Sequence, residues 1–251
     1  MSMYDIVLIL VASFFAGMMN AIAGGGTFFS FPALLAIGVP PIIANATNNV
    51  ALWPASLSSA WAYKDELKKY KKRLVWLGFI SLIGGILGSL LLLSINDKAF
   101  TKLIPWLLLF ATILFALSNK ISTLISNKTE IKSNLNKILT AIALLLVSIY
   151  GGFFGAGLGI LLIAHLIITE VENIGEANAL KNYLTAVVYS VSVIVFIVAG
   201  AISWKHTLIM LMSASFGGYF GAILAKRIST EILKLIIIAV GLGLSCYYFA
   251  V

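Results

Sequence analysis

Long apolar runs recur along almost the whole chain, and only short polar loops separate them. A helix of about 20 residues is needed to cross the roughly 30 Å hydrocarbon core of a bilayer. Uninterrupted runs suited to crossing occupy residues 42–63, 74–95, 103–119, 207–225 and 232–251. Residues 4–38 and 138–169 are equally apolar but contain clusters of glycine. The pattern predicts an all-α polytopic membrane protein with about eight membrane segments and no appended soluble domain.

Composition agrees with this prediction, because 61% of the 251 residues are hydrophobic, 10% are charged and the mean hydropathy is +1.06. The net charge of +8 would also suit a nucleic-acid-binding protein, but the basic residues are concentrated in loops. Segments 64–73, 120–137 and 226–234 hold 13 of the 17 Lys and Arg residues. The positive-inside rule places these loops in the cytoplasm, so we expect no nucleic-acid partner and a bilayer environment.

This charge distribution also predicts the topology. Both termini are expected outside, and the two glycine-interrupted stretches must each enter and leave on one side, as re-entrant hairpins. The breaks are Gly24 to Gly26 in the first hairpin and Gly151 to Gly159 in the second. Backbone that is not helical is tolerated inside the membrane only where it is buried in protein or lines a water-filled cavity. In the alternative topology, residues 4–23 span the whole bilayer and the N-terminus lies inside.

A single constant offset in residue number superimposes the two halves of the sequence without a gap. Gly24 and Gly26 fall on Gly157 and Gly159, and the triplet at 44–46 falls on that at 177–179. We divide the chain into a first repeat at 1–119, a cytoplasmic linker at 120–136 and a second repeat at 137–251. Each repeat is one hairpin plus three crossings, so the second is inverted relative to the first. Inverted repeats around broken helices are typical of secondary transporters.

Candidate binding residues lie at the glycine breaks and on the helix that follows each one. Free N–H groups at the start of a short helix attract anions, although glycines also permit close helix packing. The polar residues after the first break would be costly facing lipid, yet they could simply join helices. In the second half, Lys181 stands at the position that corresponds to Asn48. It supplies a positive charge to the site, unless its long side chain extends to the membrane interface. The candidates are Gly24, Gly25, Gly26, Thr27, Asn45, Thr47, Asn48, Gly157, Asn178, Lys181 and Asn182.

Several functions are not indicated by the sequence. It contains no His-Glu metal motif, no nucleotide-binding Gly-Lys-Ser/Thr loop and no convincing serine-histidine pair. We therefore expect no enzyme activity, no catalytic residue, no metal site and no cofactor. The single cysteine, Cys246, excludes a disulfide framework, and its place in the last apolar run favours a lipid-facing or packing role.

The stretch AGMMNAIAGGGTFFSFPALLAIGVPPIIANATNNVALWPAS, with GGFFGAGLGI in the second half, resembles the TauE/SafE sulfite exporter family. The resemblance extends over essentially the whole chain. It implies a multi-pass permease of a prokaryotic inner membrane that moves small sulfur-containing anions, such as sulfite or organosulfonates, generally outward. By matching position it supports all of the candidate binding residues except Asn182.

We therefore expect a secondary transporter, an exporter of small sulfur-containing anions, with an anion site at the midplane and alternating access. Two alternatives stay open at this point: a permease for another small solute, and an anion channel. The sequence sets neither the coupling ion nor the oligomeric state, and a homo-oligomer is compatible with it.

Overall fold

The computed structural model describes residues 1–22, 25–126, 137–169, 174–224 and 230–250, and in these ranges it contains helices and no strand. A single 3-10 turn, Lys68–Tyr70, follows α4. The helices are α1 Met3–Ile22, α2 Thr27–Ala36, α3 Pro41–Ala62, α4 Lys64–Leu67, α5 Lys71–Ser94, α6 Asp97–Ser126, α7 Lys137–Phe153, α8 Leu158–Thr169, α9 Ile174–Val198, α10 Trp204–Leu224 and α11 Thr230–Ala250.

Local sequence signals set several of these helix ends. At the start of α1, the Ser2 amide donates to Asp5 and the Asp5 amide donates to the Ser2 hydroxyl, as in a capping box. Before α6, the side-chain oxygen of Asn96 accepts a hydrogen bond from the Ala99 amide. At the end of α9, Gly200 adopts a φ of +65°, a conformation that favours glycine.

The outer surface of the helix bundle is strongly apolar. Val75, Trp76 and Val198 are 73%, 60% and 84% exposed, respectively, and many other large apolar side chains share this outward position. Four helices in the described part of the chain are long and apolar enough to cross a membrane: Met3–Asn20, Lys64–Ser94, Asp97–Ser118 and Glu176–Val198. The prediction of an all-helical multi-pass membrane protein is confirmed, because such a surface is stable only against lipid.

The two halves of the chain contain matching helices. Helices α5 and α10 begin at residues 71 and 204, and this offset in residue number equals that between Gly24 and Gly157. At the same offset, the described residues of α11 fall on α6 and most of those of α9 fall on α3. Packing follows the same correspondence, because α1 packs on α10 as α7 packs on α5, and α3 packs on α10 as α9 packs on α5. Helix α6 runs to Ser126, so it continues into the predicted linker, whose residues 127–136 lie outside the described ranges.

The contacts also give relative helix directions. Trp106 of α6 stacks edge-on with Phe249 of α11, and Thr112, further along α6, faces Gly241, which is earlier along α11. The equivalent helices α6 and α11 are therefore antiparallel. Such a pair is what two halves of opposite orientation would produce.

Glycines allow the most intimate helix contacts. A Cβ atom added at Gly217 would lie 1.9 Å from the Phe14 carbonyl oxygen on α1. On the equivalent pair, a Cβ at Gly88 would lie 2.0 Å from the Ile149 carbonyl oxygen on α7. Both distances are far inside van der Waals contact, so α1 with α10 and α5 with α7 pack backbone against backbone.

Candidate functional site

The first glycine break connects α1 to α2. Gly24 lies outside the described residues, and Gly25 and Gly26 precede the first residue of α2. A Cβ at Gly25 would lie 2.7 Å from the Ile237 side chain, and one at Gly26 would lie 2.4 Å from the Ala16 carbonyl oxygen. These two glycines therefore allow the tip of the first hairpin to pack tightly against its neighbours.

Thr27, Ser30 and Asn48 form a closed polar network behind this tip. The Asn48 amide donates to the Thr27 hydroxyl at 3.3 Å, and the Ser30 hydroxyl donates to the Asn48 side-chain oxygen. All three side chains are buried. Their polar groups satisfy one another and join α2 to α3, which is the helix-joining role that the sequence left as an alternative.

Asn45 and Thr47 connect α3 to the second half of the chain. The Asn45 amide donates to the Phe153 carbonyl oxygen, the last of α7, at 2.9 Å. The Thr47 hydroxyl accepts a hydrogen bond from the Ser203 amide, in the turn between α9 and α10, at 3.0 Å. These contacts lie in different directions from the network of Asn48, and the side-chain oxygen of Asn45 is buried without a partner among the described residues.

The second glycine break turns α7 into α8. Gly155 and Gly157 have φ angles of +82° and +75°, so the chain reverses within a few residues through conformations that glycine readily adopts. The Tyr150 hydroxyl closes the turn by donating to the Ala156 carbonyl oxygen at 2.6 Å. This turn leads into α8, where the Leu158 amide donates to the Gly155 carbonyl oxygen and the Ile160 amide donates to the Gly157 carbonyl oxygen.

Both breaks lie against the same stretch of α6. A Cβ at Gly25 would lie 3.2 Å from the Phe115 ring, and a Cβ at Gly157 would lie 3.6 Å from the Ala111 Cβ. Ala111 and Phe115 are four residues apart, which is about one helical turn. The tips of the two hairpins therefore reach similar positions along one neighbouring helix.

A cavity of about 30 Å³ lies beside the second tip. Since one water molecule needs roughly 10–15 Å³ of such space, the cavity holds about two or three waters, a size comparable with one small oxyanion. Both halves of the chain contribute to it. The lining residues are Asn20, Ser56, Gly155, Leu158, Gly159, Lys181, Asn182, Thr185 and Tyr189.

Lys181 brings a positive charge to this cavity. Its aliphatic stem passes over Gly159, where an added Cβ would lie 3.3 Å from the Lys181 Cδ. No carboxylate forms an ion pair with its ammonium group within the ranges that the structure describes. A charge without a partner is costly in an interior of low dielectric, and an anionic ligand would offset it.

Thr185 offers a hydroxyl that has no partner among the described residues and is fully shielded from solvent. Other hydroxyls of α9 behave differently, because Ser190 and Ser192 donate to the carbonyl oxygens of Ala186 and Val188, four residues earlier. Thr185 makes no such bond. Thr185 is one of the residues that line the cavity, and a bound molecule would reach its hydroxyl only after neighbouring side chains moved, because the oxygen is closed even to water.

The structure thus divides the predicted residues into groups. Lys181 and Asn182 line the cavity, Gly157 shapes the turn beside it, and Asn178 is half-buried nearly one turn before Lys181 on α9. The cavity residues absent from the prediction are Asn20, Ser56, Gly155, Leu158, Gly159, Thr185 and Tyr189. Thr185 and Tyr189 follow Lys181 by four and eight residues, so the helical period could have identified them.

The comparison with known families decides the identity of the chain. A family model described as "Sulfite exporter TauE/SafE" matches residues 9–248. The chain belongs to the TauE/SafE family. This assignment confirms the resemblance found in the sequence, and it supports a role in membrane transport.

Relatives of this TauE/SafE chain carry the names of transporters. A "Probable membrane transporter protein" of Haemophilus influenzae is 30% identical over 86% of this chain and 83% of its own length. A "Probable membrane transporter protein ORF9" of Sinorhizobium sp is 25% identical over 94% of this chain and 89% of its own. The Escherichia coli "Probable membrane transporter protein YfcA" is 24% identical over 92% of this chain and 84% of its own length. No solved structure matches this TauE/SafE chain.

Proposed function

We propose that this protein is a secondary transporter that exports small sulfur-containing anions, such as sulfite or organosulfonates, across a prokaryotic inner membrane. The observation that carries the proposal is Lys181, which lines a cavity contributed by both halves and whose ammonium group has no ion-pair partner among the described residues. Family membership supports transport, and the charge of the cavity supports an anionic substrate.

The proposed binding chemistry is electrostatic. Lys181 supplies the positive charge, the Asn182 amide and the Thr185 hydroxyl supply hydrogen-bond donors, and the first turn of α8 adds the positive end of a helix dipole. Hydrogen bonds that involve a charged group contribute about 1.5–3 kcal/mol each. An oxyanion held in this way can be released unchanged, because binding forms no covalent bond.

The proposed mechanism is alternating access between two inverted repeats. It is supported by the constant offset between corresponding residues of the two halves and by the antiparallel pair α6 and α11. In this mechanism the two halves rock about the cavity, which opens to one face of the membrane at a time. The basic loops lie in the cytoplasm and both termini lie outside.

Uptake of labelled sulfite into liposomes that contain only this protein tests the proposal. We expect uptake by the wild type and a loss of roughly 10–150-fold in sulfite affinity for Lys181→Met, the ratio that corresponds to about 1.5–3 kcal/mol. Lys205→Met, at an exposed lysine near the start of α10, serves as the matched control. It should transport like the wild type.

Three results would overturn the proposal. Sulfite uptake by Lys181→Met equal to that of the wild type, with both proteins folded, would remove the anion site from this cavity. Ionic currents far above the turnover of a carrier would show an anion channel instead. Uptake of a neutral solute that sulfite does not inhibit would show a different substrate.

A further inference from the structure

The cavity beside the second hairpin tip has an unbalanced charge. Lys181 is the one charged side chain among its described lining residues. Three of the described carboxylates lie at helix ends and have other partners there. Asp97 accepts from the Ile42 amide, Asp65 pairs with Lys68, and Glu176 accepts from the Tyr70 hydroxyl.

The remaining polar groups of the lining add hydrogen bonds but no second charge. Asn20, Asn182, Ser56 and Thr185 are neutral, and the Tyr189 hydroxyl lies beside the turn, 3.1 Å from a Cβ position at Gly155. The site can therefore orient several oxygen atoms of an occupant while offsetting one negative charge.

Charge matching then decides which anions are stable in this place. A singly charged anion beside Lys181 gives a neutral pair. A doubly charged anion leaves one uncompensated negative charge within the membrane, and a neutral solute leaves the lysine uncompensated. Uncompensated charge in an interior of low dielectric costs several kcal/mol, which exceeds the difference of one hydrogen bond.

We propose that this cavity selects singly charged oxyanions over doubly charged ones, an inference that rests on the function proposed above. Hydrogensulfite and sulfonates belong to the favoured class. The sulfite dianion and sulfate belong to the disfavoured class. One cationic side chain and no anionic one among the described lining residues set this preference.

Methanesulfonate and sulfate form a matched pair of probes, because both are tetrahedral around sulfur, similar in size and different by one charge. Each is added at increasing concentration to wild-type liposomes that take up labelled sulfite at one fixed pH. We expect methanesulfonate to inhibit at a concentration at least about tenfold lower than sulfate, which corresponds to about 1.4 kcal/mol. Equal inhibition, or stronger inhibition by sulfate, would overturn the inference.

The same assay separates this inference from the proposed function. If the wild-type protein takes up no sulfite, the proposed function fails. If sulfite is taken up and sulfate competes as well as methanesulfonate, the function stands and the charge selection fails.

A second lysine in the cavity provides an independent test. Asn182→Lys should lower the inhibitory concentration of sulfate relative to methanesulfonate by at least about tenfold, because two cations compensate a dianion. Thr101→Lys, at an exposed position near the start of α6, adds the same charge outside the cavity and should leave the ratio unchanged. An unchanged ratio in a folded Asn182→Lys protein would contradict the inference. If that variant does not fold, the wild-type comparison alone decides.

Discussion

Replacement of Thr185 by valine should raise the stability of the protein and weaken its binding of sulfite. The substitution keeps the branched shape of the side chain and removes the hydroxyl. In the described structure this hydroxyl is buried and has no hydrogen-bond partner, and Thr185 is one of the residues that line the cavity. A residue whose role is only structural would not produce two effects of opposite sign.

The magnitudes follow from the surroundings of Thr185. A buried polar group without a partner costs about 1–3 kcal/mol, so its removal should stabilise the empty protein by about 1 kcal/mol or more. For a chain of this size, each 1 kcal/mol raises the thermal midpoint by roughly 2–4 °C. Loss of a hydrogen bond to an anion, about 1.5–3 kcal/mol, should weaken sulfite binding by roughly 10–150-fold.

Thermal unfolding in detergent and calorimetric titration with sulfite measure the two effects on the same preparation. Thr112→Val is the matched control, because the buried Thr112 hydroxyl already donates to the Leu108 carbonyl oxygen at 2.6 Å. It should not gain stability and should keep the affinity of the wild type. A Thr185→Val protein that is less stable and binds sulfite with unchanged affinity would refute the reasoning.

Two further predictions concern helix packing. Gly88→Ala places a Cβ about 2.0 Å from the Ile149 carbonyl oxygen and should destabilise the protein by about 1–3 kcal/mol. Gly243→Ala places its Cβ in open space and should leave the stability unchanged. Midpoints of denaturation measure the difference between the two variants. Asn45→Ala removes the bond to the Phe153 carbonyl oxygen, so its thermal midpoint should fall while calorimetry shows sulfite affinity within about twofold of the wild type. A midpoint equal to that of the wild type would contradict either prediction.

The helices could be predicted closely because hydrophobicity and loop charge determine where they lie. The predicted run 42–63 corresponds to Pro41–Ala62, and the run 74–95 corresponds to Lys71–Ser94. The run 103–119 is shorter than its helix, Asp97–Ser126, because α6 continues beyond the apolar stretch at both ends. The glycine clusters also indicated where the helices are interrupted, at 25–26 and at 154–157, although Gly151, Gly152 and Gly159 are themselves helical.

The sequence did not reveal which groups the polar side chains bind. Asn45 and Asn48 are both among the candidate binding residues, but α3 packs against several elements at once and gives each asparagine a different partner. The constant offset between the two halves did identify Lys181 and Asn182 in the cavity. Ser56 and Asn20 reach the same cavity through tertiary packing, which the spacing of residues along the chain does not reveal.

Chemical access to Ser56 tests the central claim that the cavity between the two halves is the transport path. On a Cys246→Ser background, Ser56→Cys introduces a thiol at the cavity, and Ser81→Cys introduces one at the buried contact between α5 and α7. A charged maleimide is applied and washed out before labelled sulfite is added, because sulfite itself consumes the reagent. We predict that the thiol at position 56 reacts and that the reaction stops sulfite uptake, while the thiol at position 81 does not react. A thiol at position 56 that never reacts, or whose reaction leaves uptake unchanged, would contradict the account.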